Sequence, residues 1–431
     1  MLHIYQKVTG FFALLALGYL GGAEAMAQPT VDPAFQPTRL YRPSAIAAVC
    51  QLSDGSRIAA GTISRADGQP ATNLVRYLPN GTLDATFAAN VAGNDWHPAL
   101  LAEAPGGKLL VGNELAAPMV VGGQLVSSLA RLNTDGTLDA GFSVGSGPNG
   151  PLMAVLVQAD GKVVLGGTFT QVAGQTVGNL VRLNANGSVD TNFLSAGRGA
   201  NAAVETLAQQ PDGKLLLGGR FGTMHGQGRP LLARLNPDGS LDPSLTLAAS
   251  SAPGAEASAL ALQPDGRLLV SGLGLQGSTL SSDFLRLTST GAPDPSFTNS
   301  TTAWPTGPAG SHPVQVQPDG KILISNYNSN GNGRTSGKVA RLLANGSADT
   351  SFQFPAVGAG IMAMQQLPGG EVLVGSEADQ YGAGQRRTGL AVLRADGSLN
   401  ASFAPRLQET GSVEAMAVQA DGRILIGGQF D

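Results

Sequence analysis

The sequence has few of the residues that build disulfide frameworks, metal sites or nucleic-acid interfaces. Its 431 residues include one cysteine, Cys50, so no disulfide can form within the chain, and the surrounding apolar pattern predicts a buried, inert thiol. The four histidines show no ligand spacing such as His-x₃-His, so we expect neither a metal nor a cofactor. Charged residues make up 13% of the chain and its net charge is −4, which leaves no basic face for phosphates and argues against nucleic acid as a partner.

Long hydrophobic runs are also scarce, and the most marked one begins at Val8, close to the N-terminus. It follows the basic Lys7 and precedes the small residues of Ala25–Ala27, which predicts that residues 1–27 are a cleaved signal peptide. A membrane anchor is the alternative, but Phe11–Leu20 is shorter than the roughly 20 apolar residues that span a bilayer. We therefore expect an exported protein, secreted or at the cell surface, with the periplasm as an alternative and no transmembrane segment.

Glycine is abundant, and its positions show that the chain is built from repeats. Sixty glycines and 26 prolines are typical of an all-β protein with many tight turns. One hairpin, an apolar strand followed by Pro/Ala-Asp-Gly-Lys/Arg and a second apolar strand, recurs about every 52 residues. Its turns are Asp54-Gly55, Gly106-Gly107, Asp160-Gly161, Asp212-Gly213, Asp265-Gly266, Asp319-Gly320, Gly369-Gly370 and Asp421-Gly422.

A second hairpin lies between successive copies of the first and ends in a short Leu-Asp-x-x-Phe segment. Its turns are Asn80-Gly81, Asp135-Gly136, Asn186-Gly187, Asp238-Gly239, Thr290-Gly291, Asn345-Gly346 and Asp396-Gly397. Each unit is thus expected to hold four strands, a to d, which is the composition of a propeller blade. The predicted fold is an all-β propeller over residues 28–431, with seven complete four-stranded blades and a partial eighth closed by the N-terminal strand.

Turn chemistry predicts which side chains face each other across strands c and d. In residues 236–240, proline and glycine suit a type I turn followed by a glycine bulge, which pairs Arg234 with Asp242 eight residues later. In the seventh unit Val392 and Asn400 replace both partners together, as a structural ion pair requires. Calcium binding by the aspartates is the alternative. The expected pairs are Arg76–Asp84, Arg131–Asp139, Arg182–Asp190, Arg234–Asp242, Arg286–Asp294 and Arg341–Asp349.

The two ends of the chain carry parts of one further unit. Val31–Phe35 resembles segment d without a preceding strand c, and residues 413–430 supply strands a and b. We expect that natural sequence continues beyond Asp431 with a strand like Leu-x-Arg-Leu, whose arginine would face Asp32. A monomer is expected.

The repeated string Gln-Pro-Asp-Gly-Lys, Leu-Leu-x-Gly-Gly and Arg-Leu-Asn-x-Asp-Gly-Ser-Leu-Asp-x-x-Phe resembles the delta-60 repeat, from about Val49 to Asp431. That family is described as a β-propeller domain of unknown function. The resemblance implies a bacterial secreted or cell-surface protein, and many such proteins carry a C-terminal domain for type IX secretion. It supplies no catalytic residues.

The connections between strands b and c, and between d and the next a, vary in length and sequence, whereas the two hairpin turns hardly change. We expect the variable connections to share one face and to carry binding, because a rigid scaffold presents function on its loops. Aromatic rings beside amides and guanidinium groups suit a glycan, peptide or protein partner. A polysaccharide hydrolase or lyase at the channel mouth is the alternative, and a spacer for another domain is a third. The candidate binding residues are Trp96, His97, His225, Trp304, His312, Tyr327, Arg334, Tyr381 and Arg386.

Overall fold

The computed structural model of the chain is all-β, as the turn-rich sequence predicts. It describes residues 41–43, 46–92, 98–195, 199–247, 255–272, 284–298, 314–329, 335–354, 361–376, 380–381, 385–386, 390–405, 407–410, 412–418 and 424–429. In these residues, helix is confined to the α-helical turn α1 (Thr191–Ser195) and a 3₁₀ turn at Pro368–Gly370.

Seven consecutive units each form a three-stranded antiparallel sheet in the order a, b, c. The strands of units 1 to 4 are β2 (Ile46–Gln51), β3 (Arg57–Gly61) and β6 (Leu74–Tyr77); β8 (Pro98–Ala104), β9 (Lys108–Asn113) and β12 (Leu129–Leu132); β13 (Leu152–Val157), β14 (Val163–Gly167) and β17 (Leu180–Leu183); β18 (Val204–Gln209), β19 (Leu215–Gly219) and β22 (Leu232–Leu235). Those of units 5 to 7 are β23 (Ala259–Leu262), β24 (Leu268–Ser271) and β25 (Phe284–Leu287); β26 (Val314–Val316), β27 (Ile322–Ser329) and β28 (Thr335–Leu342); β29 (Ile361–Gln366), β30 (Val372–Ser376) and β33 (Leu390–Leu393).

The central strand b of each unit is an unbroken apolar run because both of its faces are covered. In unit 3, Val163 and Leu165 pack into the cluster shared with unit 2, whereas Val164 packs into the cluster shared with unit 4. In unit 4, Leu216 likewise packs toward unit 5. Successive side chains of a strand point to opposite faces, so a strand between two neighbouring sheets needs apolar residues at every position.

Segment d differs from the prediction, because it meets strand c at a single bridge and then leaves the sheet. In unit 1 that bridge joins Tyr77 and Leu83. Asp84 then accepts hydrogen bonds from the backbone N–H and the hydroxyl of Thr86, at 2.9 and 2.6 Å, which turns the chain. Ala88 N–H next donates to the Asp135 carbonyl of unit 2. The aspartate turn therefore sends the chain to the next unit, and the a–b–c sheets of the seven units have three strands.

The b–c connections of units 1 to 4, and the described part of that of unit 7, form small hairpins. The connection that follows segment d of units 1 and 7 pairs with the hairpin of the next unit. The hairpins are β4 (Arg65–Ala66) with β5 (Gln69–Pro70), β10 (Met119–Val121) with β11 (Gln124–Val126), β15 (Gln171–Val172) with β16 (Gln175–Thr176), β20 (Thr223–Met224) with β21 (Gln227–Gly228), and β31 (Gln380–Tyr381) with β32 (Gln385–Arg386). Strand β7 (Val91–Ala92), from unit 1, pairs with β10 of unit 2. The two variable connections thus lie together.

Unit 7 contacts unit 1 in the way that unit 1 contacts unit 2. Strand β34 (Leu407–Thr410), which follows unit 7, pairs with β4 of unit 1 and with β1 (Tyr41–Pro43). Phe403 packs edge-on against Tyr77, with 5.5 Å between ring centroids, and both lie in one hydrophobic cluster with Leu373 and Ile46.

The residues expected to form a further unit are described only in part. Strands β35 (Ser412–Val418) and β36 (Ile424–Gln429) pair as a two-stranded sheet with the register of the other a–b hairpins. Val31–Phe35, the expected closing strand, lies outside the described residues.

The c–d turn glycines are required twice over, by backbone conformation and by the neighbouring unit. Gly187 has φ +90°, and a Cβ there would lie 2.5 Å from the Ser143 carbonyl oxygen of unit 2. Gly174 has φ +76° but open space around the same position. We predict that Gly187→Ala lowers the free energy of unfolding by at least about 2 kcal/mol, against about 1 kcal/mol for the control Gly174→Ala. Urea titrations of both variants test this, and equal losses would show that the contact with Ser143 is unimportant.

Candidate functional site

Six arginine–aspartate pairs recur at the predicted offset and are part of the scaffold. The arginine Nε lies 2.6 to 2.9 Å from the aspartate Oδ2 in every pair. The arginine side chains are 6–12% exposed and those of the aspartates 5–9%. The structure brings together Arg76 and Asp84, Arg131 and Asp139, Arg182 and Asp190, Arg234 and Asp242, Arg286 and Asp294, and Arg341 and Asp349.

Each of these arginines also reaches the next unit. Arg182 Nη1 donates to the Pro237 carbonyl of unit 4 at 2.6 Å, and Arg131 donates to the Ala185 carbonyl of unit 3 at 2.7 Å. In five units the guanidinium lies over the phenylalanine of segment d, 4.5 to 4.8 Å from the ring centroid, as Arg182 does over Phe193. We call this set of contacts the arginine bridge. It joins strand c, segment d and the following unit.

A cation from strand b completes the arginine bridge in units 2 to 6. Lys108 Nζ lies 2.8 Å from Asp139 Oδ2, the same oxygen that Arg131 contacts. Burial opposes ionisation of Asp139, but the hydrogen bonds from Lys108 and Arg131 outweigh it and lower the pKa of Asp139 to about 2. The aspartates are thus held as anions by protein cations.

Unit 7 replaces all three charged members of the bridge. Val392 stands for the arginine, Asn400 for the aspartate and Glu371 for the strand b cation, and Asn400 Nδ2 donates to Glu371 Oε1 at 2.8 Å. A buried aspartate without its arginine would be destabilising, so the loss of one partner requires the loss of the other.

The predicted binding residues are only partly within the described residues. Trp96, His97, Trp304, His312 and Arg334 lie outside them. Tyr327 lies in β27, Tyr381 in β31 and Arg386 in β32. The prediction places Tyr327 in a loop, whereas its backbone pairs with that of Gly337, because strand β27 continues without proline or glycine up to Ser329.

His225 holds two segments of the chain together through both ring nitrogens. Its Nδ1 accepts a hydrogen bond from Gly199 N–H at 3.0 Å, and its Nε2 lies 2.9 Å from the Gly239 carbonyl oxygen. The ring therefore carries its proton on Nε2. Gly239 belongs to the c–d turn, so in unit 4 the b–c hairpin reaches the turn that we expected on the opposite face.

At the junction of units 4 and 5, one arginine joins two buried carboxylates. Arg220 Nε lies 2.6 Å from Glu205 Oε1, and its Nη2 lies 2.6 Å from Glu256 Oε2. Contacts with one guanidinium keep the two carboxylates within about 8 Å of each other. The Arg220 side chain is 60% exposed, whereas those of Glu205 and Glu256 are 9% and 7% exposed. We call this group the Glu205–Arg220–Glu256 cluster.

Local backbone geometry explains why the three side chains meet. Glu205 is the extra residue of a β-bulge in β18, between Val204 and Thr206. Arg220 directly follows β19, and Ala257 N–H donates to the Gly219 carbonyl at 3.1 Å, which sets Glu256 beside the end of that strand. The cluster therefore lies where a b–c connection begins and a d–a connection ends.

The electrostatics of the cluster favour a tight ion triad. Burial raises the pKa of the Glu205 carboxyl; the hydrogen bond from Arg220 acts against this, and the charge of Glu256 adds to it. The hydrogen bond to Glu205 raises the pKa of Arg220. With both carboxylates ionised, the cluster carries one net negative charge.

The sequence pattern does not single out Glu205, which lies within strand β18, or Glu256, which ends a d–a connection without aromatic residues. One available signal is an acid at a bulge position that holds Ala47, Met153 and Met362 in units 1, 3 and 7, although Glu414 holds it in β35. In the described part of the chain, no group of three or more histidine, cysteine, aspartate or glutamate side chains could hold a metal ion. None of the helices described there has the length and hydropathy to cross a bilayer.

A family model described as "domain of unknown function (DUF5122) beta-propeller" matches more than half of the chain, in seven segments. The matches cover residues 52–87, 107–142, 158–193, 210–245, 263–297, 317–352 and 368–403. The chain belongs to this family. The resemblance to the delta-60 repeat is thereby confirmed, with one match per unit.

Solved structures similar to this DUF5122 chain include the following three. A GH74 xyloglucanase from Xanthomonas campestris shares 13% identity and a TM-score of 0.48 over 90% of this chain, which spans 58% of that protein. An inactive virginiamycin B lyase from Staphylococcus aureus shares 10% identity and a TM-score of 0.37, over 78% of this chain and 93% of that one. The extracellular domain of a hybrid two-component system from B. thetaiotaomicron shares 10% identity and a TM-score of 0.22, over 88% of this chain and 42% of that one. No curated protein sequence matches the chain.

The arginine bridge predicts strong energetic coupling between its two charges. We expect Arg341→Val to lower the free energy of unfolding by about 2–4 kcal/mol, because it leaves the buried Asp349 without its main partner. The double variant Arg341→Val/Asp349→Asn reproduces the residues of unit 7. Its free energy of unfolding should be at least about 1 kcal/mol higher than the sum of the two single changes predicts. Denaturant unfolding of all four proteins measures the coupling, and strict additivity would contradict it.

Cys50 is partly buried, not fully as the sequence predicts, and its surroundings still predict an unreactive thiol in this DUF5122 chain. Burial raises the pKa of the Cys50 thiol to about 11, and the charge of Glu103 contributes in the same direction. Because the thiolate is the nucleophile, alkylation by iodoacetamide at pH 8 should be roughly a hundredfold slower than for an exposed cysteine, and should accelerate as pH rises toward 11. The urea-unfolded chain is the control, and equal rates in the folded and unfolded protein would contradict the prediction.

Proposed function

We propose that this chain is an exported β-propeller that binds an extracellular glycan, peptide or protein through its variable connections, without catalysing a reaction. Residues 1–27 serve as its signal peptide, and the remaining chain is a binding module at or outside the cell surface. The proposal is carried by one contrast: the arginine bridge and the glycine turns recur from unit to unit, whereas the b–c and d–a connections do not.

We further propose that the units close into a ring of seven blades. The cluster shared by units 7 and 1 contains residues from strands b and c of both units, as does the cluster shared by units 2 and 3. Strand β34 pairs with β4 as β7 pairs with β10. The outermost position of each blade is then supplied by the connection arriving from the preceding blade. Every binding surface on the connections is consequently built by two adjacent blades.

The two tryptophans lie in d–a connections and supply flat apolar faces that stack on sugars or peptide side chains. Trp96→Ala and Trp304→Ala should each weaken binding to the best ligand on a glycan and peptide array by about tenfold, or about 1.4 kcal/mol. Leu343→Ala, an apolar truncation at the exposed c–d turn of unit 6, is the matched control and should bind within about twofold of the native chain. An array without any ligand, or two tryptophan variants that bind normally, would refute the proposal.

A polysaccharide hydrolase is the second candidate, and the spacing of Glu205 and Glu256 favours it. Glycosidase carboxylates lie about 5 to 10 Å apart, and one of the pair needs a raised pKa. Against this, Arg220 donates a hydrogen bond to Glu205 and forms an ion pair with Glu256, so neither carboxylate is free to act as an acid or a base. Release of reducing ends from a polysaccharide panel by the native chain, abolished in Glu205→Gln, would establish the hydrolase; no release supports the binding module.

A further inference from the structure

We infer that the Glu205–Arg220–Glu256 cluster is a subsite that binds two neighbouring hydroxyl groups of a neutral sugar. This inference rests on the proposed binding function and assigns it a place and a ligand chemistry. The cluster lies between units 4 and 5, where the b–c connection of one unit meets the d–a connection that enters the next.

The fold does not need these charges. The bulge that holds Glu205 has alanine or methionine at the same position in units 1, 3 and 7, and Glu414 in the hairpin of β35 and β36. Thr168 of unit 3 stands where Arg220 stands in unit 4. Two buried carboxylates lose hydration, and their attraction to one arginine seldom improves on an apolar contact. A charged triad at one junction, in a scaffold that folds without it at others, therefore has a role other than stability.

The free atoms of the cluster alternate between acceptors and a donor group. Each glutamate uses one oxygen on Arg220, and among the described residues Glu205 Oε2 and Glu256 Oε1 make no hydrogen bond. Arg220 keeps its Nη1 hydrogens and is 60% exposed, so a ligand can reach the guanidinium from solvent. A pair of adjacent hydroxyl groups matches this pattern, because each hydroxyl both donates and accepts.

Charge decides between neutral and ionic ligands. The cluster has one net negative charge, which repels uronate, sulfate and phosphate groups. An ammonium group would be drawn to the carboxylates, but it would face Arg220 and would have no acceptor to offer the Nη1 hydrogens. A neutral sugar satisfies both the carboxylate oxygens and the guanidinium without adding charge.

Calorimetric titration with neutral cellotetraose and maltotetraose, and with tetragalacturonate of equal length, tests the inference. We expect one neutral oligosaccharide to bind, and the uronate to bind at least tenfold more weakly. Glu205→Gln and Arg220→Lys should each weaken the neutral ligand at least tenfold. Glu114→Gln, at the position in unit 2 that corresponds to Arg220, is the matched control and should bind within twofold.

Hydrogen exchange of the native chain adds a readout that needs no variant. Bound sugar should slow exchange at residues 204–206, 219–220 and 255–257, and not at the corresponding residues of unit 3. Normal sugar binding by both variants, unchanged exchange at these residues, or tighter binding of the uronate would overturn the inference while leaving the binding function intact. Binding of peptides alone would overturn the sugar assignment, and binding of no ligand at all would refute the proposed function itself.

Discussion

The structure depends on a guanidinium that belongs to two units at once. Arg182 bonds Asp190 of its own unit, stacks on Phe193 and donates to the Pro237 carbonyl of the next unit. A buried guanidinium needs several acceptors in a fixed geometry, so one residue sets the hairpin register, the direction of segment d and the position of the neighbouring turn. Removal of either charge alone leaves the other buried without a partner, which explains why unit 7 has lost both. Unit 7 also has Glu371 where other units have a lysine or arginine, and Asn400 donates a hydrogen bond to it.

Turn chemistry made most of this scaffold predictable from sequence. An Asn-Pro-Asp-Gly turn with a glycine bulge fixes which residues face each other, so the offset of eight between arginine and aspartate follows from local conformation alone. The path of segment d could not be predicted in the same way, because its sequence fits both a strand and a turn. Leu-Asp-x-x-Phe alternates like a strand, but the Asp84 side chain captures Thr86 and turns the chain away. What decides the outcome is the Asp135 carbonyl of the next unit, about 50 residues on, which no local pattern reveals.

The candidate site was less predictable than the fold, for a related reason. Aromatic and polar residues in variable loops are visible in sequence, and Trp96 and Trp304 stand out on that basis. Glu205 and Glu256 are separated by an entire unit, and each alone looks like an isolated acidic residue. Only the packing of β18 and β19 against the start of unit 5 brings them to the same guanidinium. His225 shows the reverse case, since a loop histidine that suggested binding holds Gly199 and Gly239 in place.

Repetition of the scaffold makes deviations from it informative. Because six arginine bridges show what the fold needs, a buried charge found at one junction has no equivalent structural reason. The geometry also restricts where a ligand can bind: a connection leaving one unit pairs with the hairpin of the next, so each surface patch combines residues that are far apart in sequence. Substitutions in one connection then alter one patch and leave the remaining junctions intact, since each unit packs only on its neighbours. A chain of this kind can acquire a ligand site at one junction with little risk to its stability.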